Sequence, residues 1–511
     1  MKTPSNTLFL LINKMTPSEK RYFKRFGLVQ QKKDANRYTL LFDAINDQDA
    51  YDEAALLKQF NKYDFVNNFS EIKKYLFEQI KKALRNYHAQ SSIDSILYKH
   101  LSDINILYQK ELYQECDKII KKAKKLAQKH EQFTILLLLN EWKRKVLRVS
   151  HHMTGMENYL EQEILEDQQY LSLIQHETDY YKESVVITLR LRQRGVIEKN
   201  FKPLVSPKLQ EPLTFRAKRY AYLKDSMEAY LESDGTGVFT ATQNSVELFE
   251  ANPHFIDASP KDYIIALGNM LDSCASRLKY NNLFDQYMEK SLKTLKKQNF
   301  DKEFTEREKL WIYLNQTKAY GYRGCSKSLH KVHQRLKKHY AYLQEHCYKT
   351  DDLDVYVHDN LLRSALILGD FSAVLQAYNA FLELNLGGYR EDLQLETRLL
   401  GLIPHYEMGN WLLLESMVRS ALRLLQRKYA HIQLGKLFLE AIKKCIILQQ
   451  QGDKKATLPI WKQLKKDAIA VTPQRRLADY VLFIGWIDSQ LTNGSIIDCI
   501  YERAQTDYQI S

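Results

Sequence analysis

The stretch GDFSAVLQAYNAFLELN, residues 369–385, indicates the fold of this chain. It opens with a Gly-Asp-aromatic turn and continues as a helix, in which Val374, Tyr378 and Phe381 recur at helical spacing. Three further stretches have the same arrangement: GNWLLLESMVRSALRL at 409–424, ELYQECDKIIKKAKKL at 111–126 and, as a weaker copy, GDKKATLPIW at 452–461. The chain therefore repeats one unit, a turn followed by a helix.

The spacing of the turns indicates what lies between them. We place turns near six residues: Glu111, Asn282, Gly324, Gly369, Gly409 and Gly452. The last four are separated by 45, 40 and 43 residues. Such an interval is too long for β-hairpins and fits two helices of about four to five turns each, with their connections. The 17 Gly and 10 Pro are also too few for an all-β or doubly wound fold. We therefore predict an all-α fold, an α-solenoid of antiparallel helix pairs.

The repeated unit resembles the second helix of a tetratricopeptide repeat, from its Gly-Asp-aromatic turn onward. In that family small residues let neighbouring helices approach closely. Ala421 stands at such a position here, whereas Val374 and Phe381 are larger. The period also exceeds the roughly 34 residues of the family. The resemblance covers about 91–150 and 260–470, and it implies a tetratricopeptide-like solenoid of longer, irregular helix pairs.

Three segments follow from this organisation. They are a basic helical N-terminal cap domain over 1–90, a first helical-repeat segment with a long helix over 91–200, and a C-terminal tetratricopeptide-like solenoid over 213–511. The long helix is predicted over 156–194, with a break near 176–179. The Pro-containing stretch 195–213 is predicted to be a hinge or a seam between segments.

The cap domain begins with LFLLINKMTPSEKRYFKRF, residues 8–26. Thr16 and Glu19 have the spacing of a capping box, which starts a helix, and Gly27 is predicted to end it. A later helix is predicted from Ser70 to about His88. The apolar residues of the opening stretch are predicted to cover the open end of the helix array: Leu8, Phe9, Leu11, Ile12, Phe23 and Phe26.

The formal charge of +13 is unevenly distributed. Residues 1–150 hold 28 Lys and Arg against 17 Asp and Glu, a net of +11, which leaves +2 for the rest of the chain. The candidate residues for an anionic partner are seven cations: Lys20, Arg21, Lys24, Arg25, Lys74, Lys81 and Arg85. Two interpretations stay open, a weak contact with a nucleic-acid backbone or the solvated side of amphipathic helices. The nine residues from 61 to 69 exceed the short turn of a helix-turn-helix, which disfavours sequence-specific DNA binding.

The sequence contains no motif of a catalytic, cofactor or metal site. Phosphate-binding, dinucleotide-binding, nucleophile-elbow and zinc-protease patterns are absent. Several His residues lie between Cys325 and Cys347, but on one helix His330 and His346 would stand about 24 Å apart and could not share an ion. We therefore expect no enzyme activity, no cofactor and no bound metal.

The chain also lacks the marks of membrane and secreted proteins. The longest aliphatic run, Ile135 to Leu139, is too short to span a bilayer. The six cysteines stand singly, as suits a reducing compartment. We expect a cytoplasmic protein that does not bind a membrane.

This fold predicts a protein that binds a partner. In tetratricopeptide-like arrays the first helices line a groove, so we expect a scaffold or adaptor that holds a peptide or protein there. The candidate groove residues are polar and lie on first helices: Asn269, Asp272, Ser273, His358, Asn360, Arg363, Arg398 and His405. Arg363 and Arg398 are the strongest candidates, because guanidinium groups bind carboxylates bidentately. Each residue can instead satisfy buried groups within the protein. The alternative function is a regulator whose basic N-terminal third contacts nucleic acid while the solenoid senses a partner.

Overall fold

The computed structural model describes residues 5–30, 35–61, 68–89, 92–149, 156–194, 211–232, 234–275, 277–298, 300–346, 351–453, 455–471 and 480–507. Every regular element within these residues is a helix, and they contain no β-strand. The predicted all-α fold is therefore confirmed. The chain forms two compact units, Met1–Leu171 and Ser172–Ser511, which are described separately.

The first unit begins with five helices that share one core. They are α1 (Thr7–Lys14), α2 (Pro17–Gln30), α3 (Ala35–Asn46), α4 (Glu53–Gln59) and α5 (Phe69–Tyr87). Each contributes a buried apolar side chain: Ile12, Phe23, Phe42, Leu56 and Ile80. Leu8 and Phe9 are buried in the same core and Leu11 is half-buried against it, whereas the side chain of Phe26 lies outside the described residues. The apolar residues of the opening stretch thus pack on α3 and α5, and their covering of an array stays a prediction.

The start of α2 has the predicted capping box. The Glu19 backbone N–H donates to Thr16 Oγ1 at 3.3 Å, and the Thr16 N–H donates to Glu19 Oε2 at 2.6 Å. These two bonds satisfy donors that a helix N-terminus leaves unpaired.

The predicted end of α2 at Gly27 is wrong, because α2 continues to Gln30. Glycine in a helix costs only about 1 kcal/mol relative to alanine, which the packing of a helix can offset.

Three helices follow in the first unit before the long α9: α6 (Ile93–Gln109), α7 (Tyr113–Lys129) and α8 (Phe133–Val149). The turn predicted near Glu111 is confirmed, since Glu111 has φ +60° between α6 and α7. A similar turn at Glu131, φ +50°, joins α7 to α8 and has no glycine to mark it in the sequence. Cys116 and Ala123 on α7 are fully buried, and small side chains there allow α7 to approach α6 and α8.

The long helix α9 spans Met156–Arg194 and continues into the second unit. The predicted break near 176–179 is wrong, because the helix is continuous through these residues. Polar residues in a helix lower its propensity only slightly, so they do not end it. Most of the predicted hinge, residues 195–210, lies outside the described residues.

The second unit contains the remaining helices. These are α10 (Phe215–Leu231), α11 (Gly235–Ala251), α12 (Pro253–Ala258), α13 (Pro260–Ala275), α14 (Asn281–Lys297), α15 (Lys302–Tyr322), α16 (Ser326–His346), α17 (Asp351–Ile367), α18 (Phe371–Leu382), α19 (Glu391–Leu400), α20 (Leu402–Glu407), α21 (Trp411–Lys428), α22 (Gln433–Gln450), α23 (Leu458–Ala470), α24 (Tyr480–Thr492) and α25 (Ile496–Asp507).

The glycine turns of the second unit share one geometry. Gly324, Gly369, Gly409 and Gly452 have φ between +67° and +78°, a region that glycine enters without steric cost. At Gly369 the Gly N–H donates to Leu366 O and the next N–H donates to Ala365 O, both at 3.0 Å. The other three turns have the same pair of bonds, a Schellman motif that ends the first helix. These four predicted turns are confirmed.

The turn predicted near Asn282 is wrong by a few residues. Asn282 lies within α14, and the connection from α13 runs through the 3-10 helix Leu278–Tyr280. No glycine occupies this connection. The ring of Tyr280, at the end of this connection, stacks on Phe239 with the ring centroids 3.8 Å apart.

Neighbouring helices of the second unit pack in pairs and in sequence. α13 packs on α14, α15 on α16 and α17 on α18, while the first members α13, α15, α17 and α19 contact each other in succession. The last helix, α25, also packs against α15 and α17. One apolar core extends from Leu310 on α15 to Ala504 on α25. Trp461 and Trp486 lie at its centre, with ring centroids 5.2 Å apart.

Two glycines of the second unit give a matched test of the turn geometry. A Cβ added at Gly369 or at Gly268 would meet no atom within 4 Å, but Gly369 has φ +72° and Gly268 is helical. We expect Gly369→Ala to destabilise by about 1–2 kcal/mol, because only the left-handed backbone is strained. Gly268→Ala should instead stabilise by about 0.5–1 kcal/mol. Urea unfolding measures both, and equal effects would contradict the assignment of the turn.

Candidate functional site

The predicted groove residues lie on helices that contact each other. Asn269 and Asp272 are on α13, Asn360 and Arg363 on α17, and Arg398 on α19. Because α13, α15, α17 and α19 pack in succession, these side chains belong to one layer of helices. Their surroundings within that layer differ sharply.

Arg363 is bound on two sides within the protein. Its Nε donates to Asp359 Oδ2 at 2.8 Å, and its Nη2 donates to Glu396 Oε2 at 2.6 Å. The two carboxylate side chains are only 7% and 1% exposed. Thr397 adds a hydrogen bond from its hydroxyl to Asp359 Oδ1 at 3.3 Å. The guanidinium group thus joins α17 to α19 within the protein, which is the alternative role that the sequence left open. Its Nε and Nη2 donors are already bound to carboxylates of the protein itself.

A second buried arginine, Arg390, lies just before α19 and was not predicted. Its Nε and Nη2 donate to the two carboxylate oxygens of Asp392 at 2.9 and 2.8 Å, and its Nη1 donates to the Tyr356 hydroxyl at 3.0 Å. Its backbone has φ +46° and its N–H donates to Arg192 O at 2.7 Å. Burial would lower the pKa of Arg390, but Asp392 raises it well above the ordinary value. The only sequence signal was the Arg-Glu-Asp run at the start of the helix.

Burial and the carboxylates of two helices raise the pKa of one hydroxyl group, that of Tyr230 on α10. Burial raises the pKa of Tyr230; Arg390 opposes this, and the negative charges of Asp392, Asp272 and Glu396 add to it. Asp272 comes from α13, whereas Asp392 and Glu396 come from α19. Asp272, a residue predicted from the sequence, therefore acts on the pKa of Tyr230 together with two acidic residues that the sequence did not single out.

Four other groove candidates face the interior. Asn360 donates from Nδ2 to Tyr356 O at 2.9 Å and accepts from the Thr317 hydroxyl at 3.3 Å. His405 is buried and accepts at Nδ1 from the Asn410 amide at 3.3 Å, and burial lowers its pKa. Ser273 is buried too, and burial likewise lowers the pKa of His358.

Three candidates remain accessible to a partner. Asn269, Asp272 and Arg398 are exposed, and Asp272 accepts one hydrogen bond from Lys318 Nζ at 3.1 Å. Arg398 follows Glu396 by two positions, which rotates it about 200° around α19. Arg363 and Arg398, the two strongest candidates, therefore point to different faces and do not converge.

The seven N-terminal cations lie on α2 and α5. Four have polar partners: Lys20 donates to Asn46 Oδ1 at 2.5 Å, Arg21 to Ser18 Oγ at 3.4 Å, Lys24 pairs with Asp43 at 2.6 Å and Lys81 with Glu78 at 2.6 Å. Two of these partners are on α3, so Lys20 and Lys24 bridge α2 to α3. Arg25, Lys74 and Arg85 are exposed. Glu71 and Glu78 share the outer side of α5 with its cations and reduce its charge.

The described ranges contain neither a metal-binding cluster nor a membrane-spanning helix. They contain no group of three or more His, Cys, Asp and Glu side chains placed to hold a metal ion. No helix among the same residues is both long and apolar enough to cross a membrane.

Comparison with known proteins identifies no relative of this chain. No protein-family model matches the chain, and neither curated proteins nor solved structures give a significant match.

The ion pairs between α17 and α19 predict that removal of Arg363 and removal of Arg398 have different effects on stability. Arg363→Ala leaves Asp359 and Glu396 buried without their shared partner, so we expect a loss of about 3–5 kcal/mol in unfolding free energy. Arg398→Ala removes an exposed side chain and should change stability by less than about 0.5 kcal/mol. Urea unfolding of both variants measures this. Equal small losses would show that water, and not Arg363, compensates the two carboxylates.

Glu308 on α15 makes the stability of the folded protein depend on pH, and the direction of that dependence follows from its pKa. Burial raises the pKa of its carboxyl from 4.5 to about 7, and the charge of Arg307 opposes the shift. The folded state therefore holds this proton more tightly, and the stability it contributes at low pH is lost as pH rises through about 7. Glu308→Gln stays neutral at every pH. Its melting temperature relative to the native protein should rise from pH 5 to pH 8, and a constant difference would contradict the shift.

Proposed function

We propose that the second unit is a non-catalytic scaffold that binds a peptide or protein partner along its first helices, in the manner of a tetratricopeptide-like solenoid. The observation that carries the proposal is the successive packing of α13, α15, α17 and α19, with α14, α16 and α18 paired to them. Consecutive first helices form a continuous surface, which is how helical repeat proteins hold extended ligands.

The buried ion pairs support this proposal by making the surface rigid. Arg363 fixes α17 to α19, and Arg390 fixes the start of α19 to Tyr356 of α17. A surface held in one conformation loses less entropy when it binds a partner. The bound peptide then contacts exposed side chains of the same layer, and Asn269, Asp272 and Arg398 are the residues we assign to it.

The alternative function is a regulator that contacts nucleic acid through its basic N-terminal third. Exposed Arg25, Lys74 and Arg85 favour it. The partners of Lys20, Lys24 and Lys81 weigh against it, because those cations contribute less to binding a phosphate chain. The scaffold function is the better supported of the two. Both functions are compatible with the expected cytoplasmic location.

Affinity capture from the native cell tests the scaffold proposal. The variant Asn269→Ala, Asp272→Ala, Arg398→Ala should capture the protein partner several-fold less well than the native chain, because it removes side chains assigned to the contact. The matched control Gln286→Ala, Glu289→Ala, Lys293→Ala removes an amide, an acid and a cation from exposed positions of α14. It should capture normally. Quantitative mass spectrometry of the captured proteins gives the measurement.

Nuclease treatment of the lysate separates the two functions. Capture through the first helices is expected to persist after nuclease treatment. If the Asn269, Asp272, Arg398 variant and the α14 control variant capture the partner equally well, the assignment of those three residues to the contact is wrong. If nuclease abolishes capture, the nucleic-acid alternative is favoured.

A further inference from the structure

The paired helices α16 and α17 differ strongly in charge. α16 has five Lys and Arg against one Glu, a formal charge of +4. α17 has one Arg against four Asp, a formal charge of −3. The near-neutral sum over residues 151–511 conceals this separation. The second unit therefore has a local concentration of positive charge on α16, which the charge summed over long segments of the sequence did not reveal.

The cations of α16 form a stripe along its solvent side. Lys327, Lys331 and Lys338 are exposed, and among the described residues none of them pairs with a carboxylate. Successive turns bring these positions onto one side of the helix, over a length of about 16 Å. Arg335 flanks the stripe, with its guanidinium 5.6 Å from the Tyr313 ring centroid. The stripe is thus a linear array of solvated positive charges.

The same side of α16 lacks the features of a protein interface. Its apolar residues Leu329, Val332, Leu336 and Leu343 are all buried, and no large apolar side chain of α16 is exposed. Protein interfaces need a desolvated centre rich in aromatic and apolar groups. Lys, Arg, Ser and Gln are instead the residues that contact nucleic-acid phosphates.

A cavity of about 470 Å³ opens at the N-terminal end of this stripe. Its lining includes Lys327, Gln334, the buried His333 and Asp370 from the start of α18. The volume lies in the range of small-molecule sites, about 300–1,000 Å³, and accommodates a planar base. The cavity and the stripe share Lys327, so one chain of nucleotides reaches both.

His333 gives the cavity a defined hydrogen-bonding character. Its Nδ1 lies 2.7 Å from Ser364 Oγ, and the Ser364 hydroxyl already donates to Asn360 O at 2.6 Å. Nδ1 therefore carries the proton and donates to Ser364, which leaves Nε2 as an acceptor. Burial lowers the pKa of the imidazole and so favours its neutral form. Together with the Asp370 carboxylate, the cavity presents acceptors suited to the amino and imino groups of a base.

We propose that the outer side of α16 binds the phosphate backbone of a single-stranded nucleic acid and that the adjacent cavity receives one of its bases. A duplex keeps its bases stacked and offers none to the cavity. This site is separate from the face proposed for a peptide, and it does not involve the N-terminal cations.

Fluorescence anisotropy with labelled single-stranded RNA, single-stranded DNA and duplex DNA of about 20 nucleotides tests the proposal. Lys327→Gln, Lys331→Gln, Lys338→Gln should weaken single-strand binding about tenfold at 100 mM salt. It should also reduce the slope of log K against log salt by about 2, since each lost phosphate contact contributes about 0.7. The control Lys436→Gln, Lys443→Gln, Lys444→Gln removes three exposed cations from α22, a helix that belongs to neither proposed surface, and should bind normally.

The variant Gln334→Trp tests the cavity alone, because it places a bulky side chain at an exposed lining position. We expect it to weaken single-strand binding several-fold and to leave duplex binding unchanged. Circular dichroism melts confirm that each variant is folded. Undetectable binding by the native protein, an unaffected α16 variant, or an equal loss in the α22 variant would overturn the proposal. Equal affinity of Gln334→Trp and the native protein would overturn the base-binding step.

Discussion

The burial of acidic side chains between α17 and α19 is the constraint on which the second unit most depends. Removing a carboxylate from water costs several kcal/mol, and only close, well-aligned cations compensate for this. Arg363 compensates Asp359 and Glu396, and Arg390 compensates Asp392. Neither arginine can move without leaving a charge unpaired. The relative position of the two helices is therefore specified by charge as well as by apolar packing, and Arg390 adopts a left-handed backbone to meet its partner.

The features that the sequence predicted correctly are those set by a few adjacent residues. The capping box at Thr16 and the turns at Gly324, Gly369, Gly409 and Gly452 need only local backbone geometry, so a short pattern suffices. The failures depend on contacts from elsewhere in the chain. Gly27 does not end α2, and the connection after α13 contains no glycine and ends at Tyr280, whose ring stacks on Phe239. Local patterns contain no information about such contacts.

The candidate site was predictable only to the level of the helix. Seven of the eight polar residues lie on α13, α17 or α19, which pack in succession with α15, and His405 lies on α20. For Arg363 and Asn360, a bonding partner lies 33 and 43 positions away in the sequence. Arg363 meets Glu396 and Asn360 meets Thr317, and neither pairing has a sequence pattern. The positive side of α16 was missed for a different reason. Charge was summed over long segments, whereas screening limits electrostatic effects to roughly 8–10 Å, the scale of one helix.

This charge separation changes the expected chemistry of a groove partner. Of the two arginines expected to bind carboxylates, Arg363 is neutralised by Asp359 and Glu396, and Arg398 points to a different face. The helices α17, α19 and α20 each contain more acidic than basic residues. A peptide lying on this layer therefore gains more from cations than from carboxylates, and a nucleic acid is repelled from it. The basic side of α16 has the opposite preference. Because like charges disfavour the wrong ligand on each surface, the two proposed partners would not compete for one site.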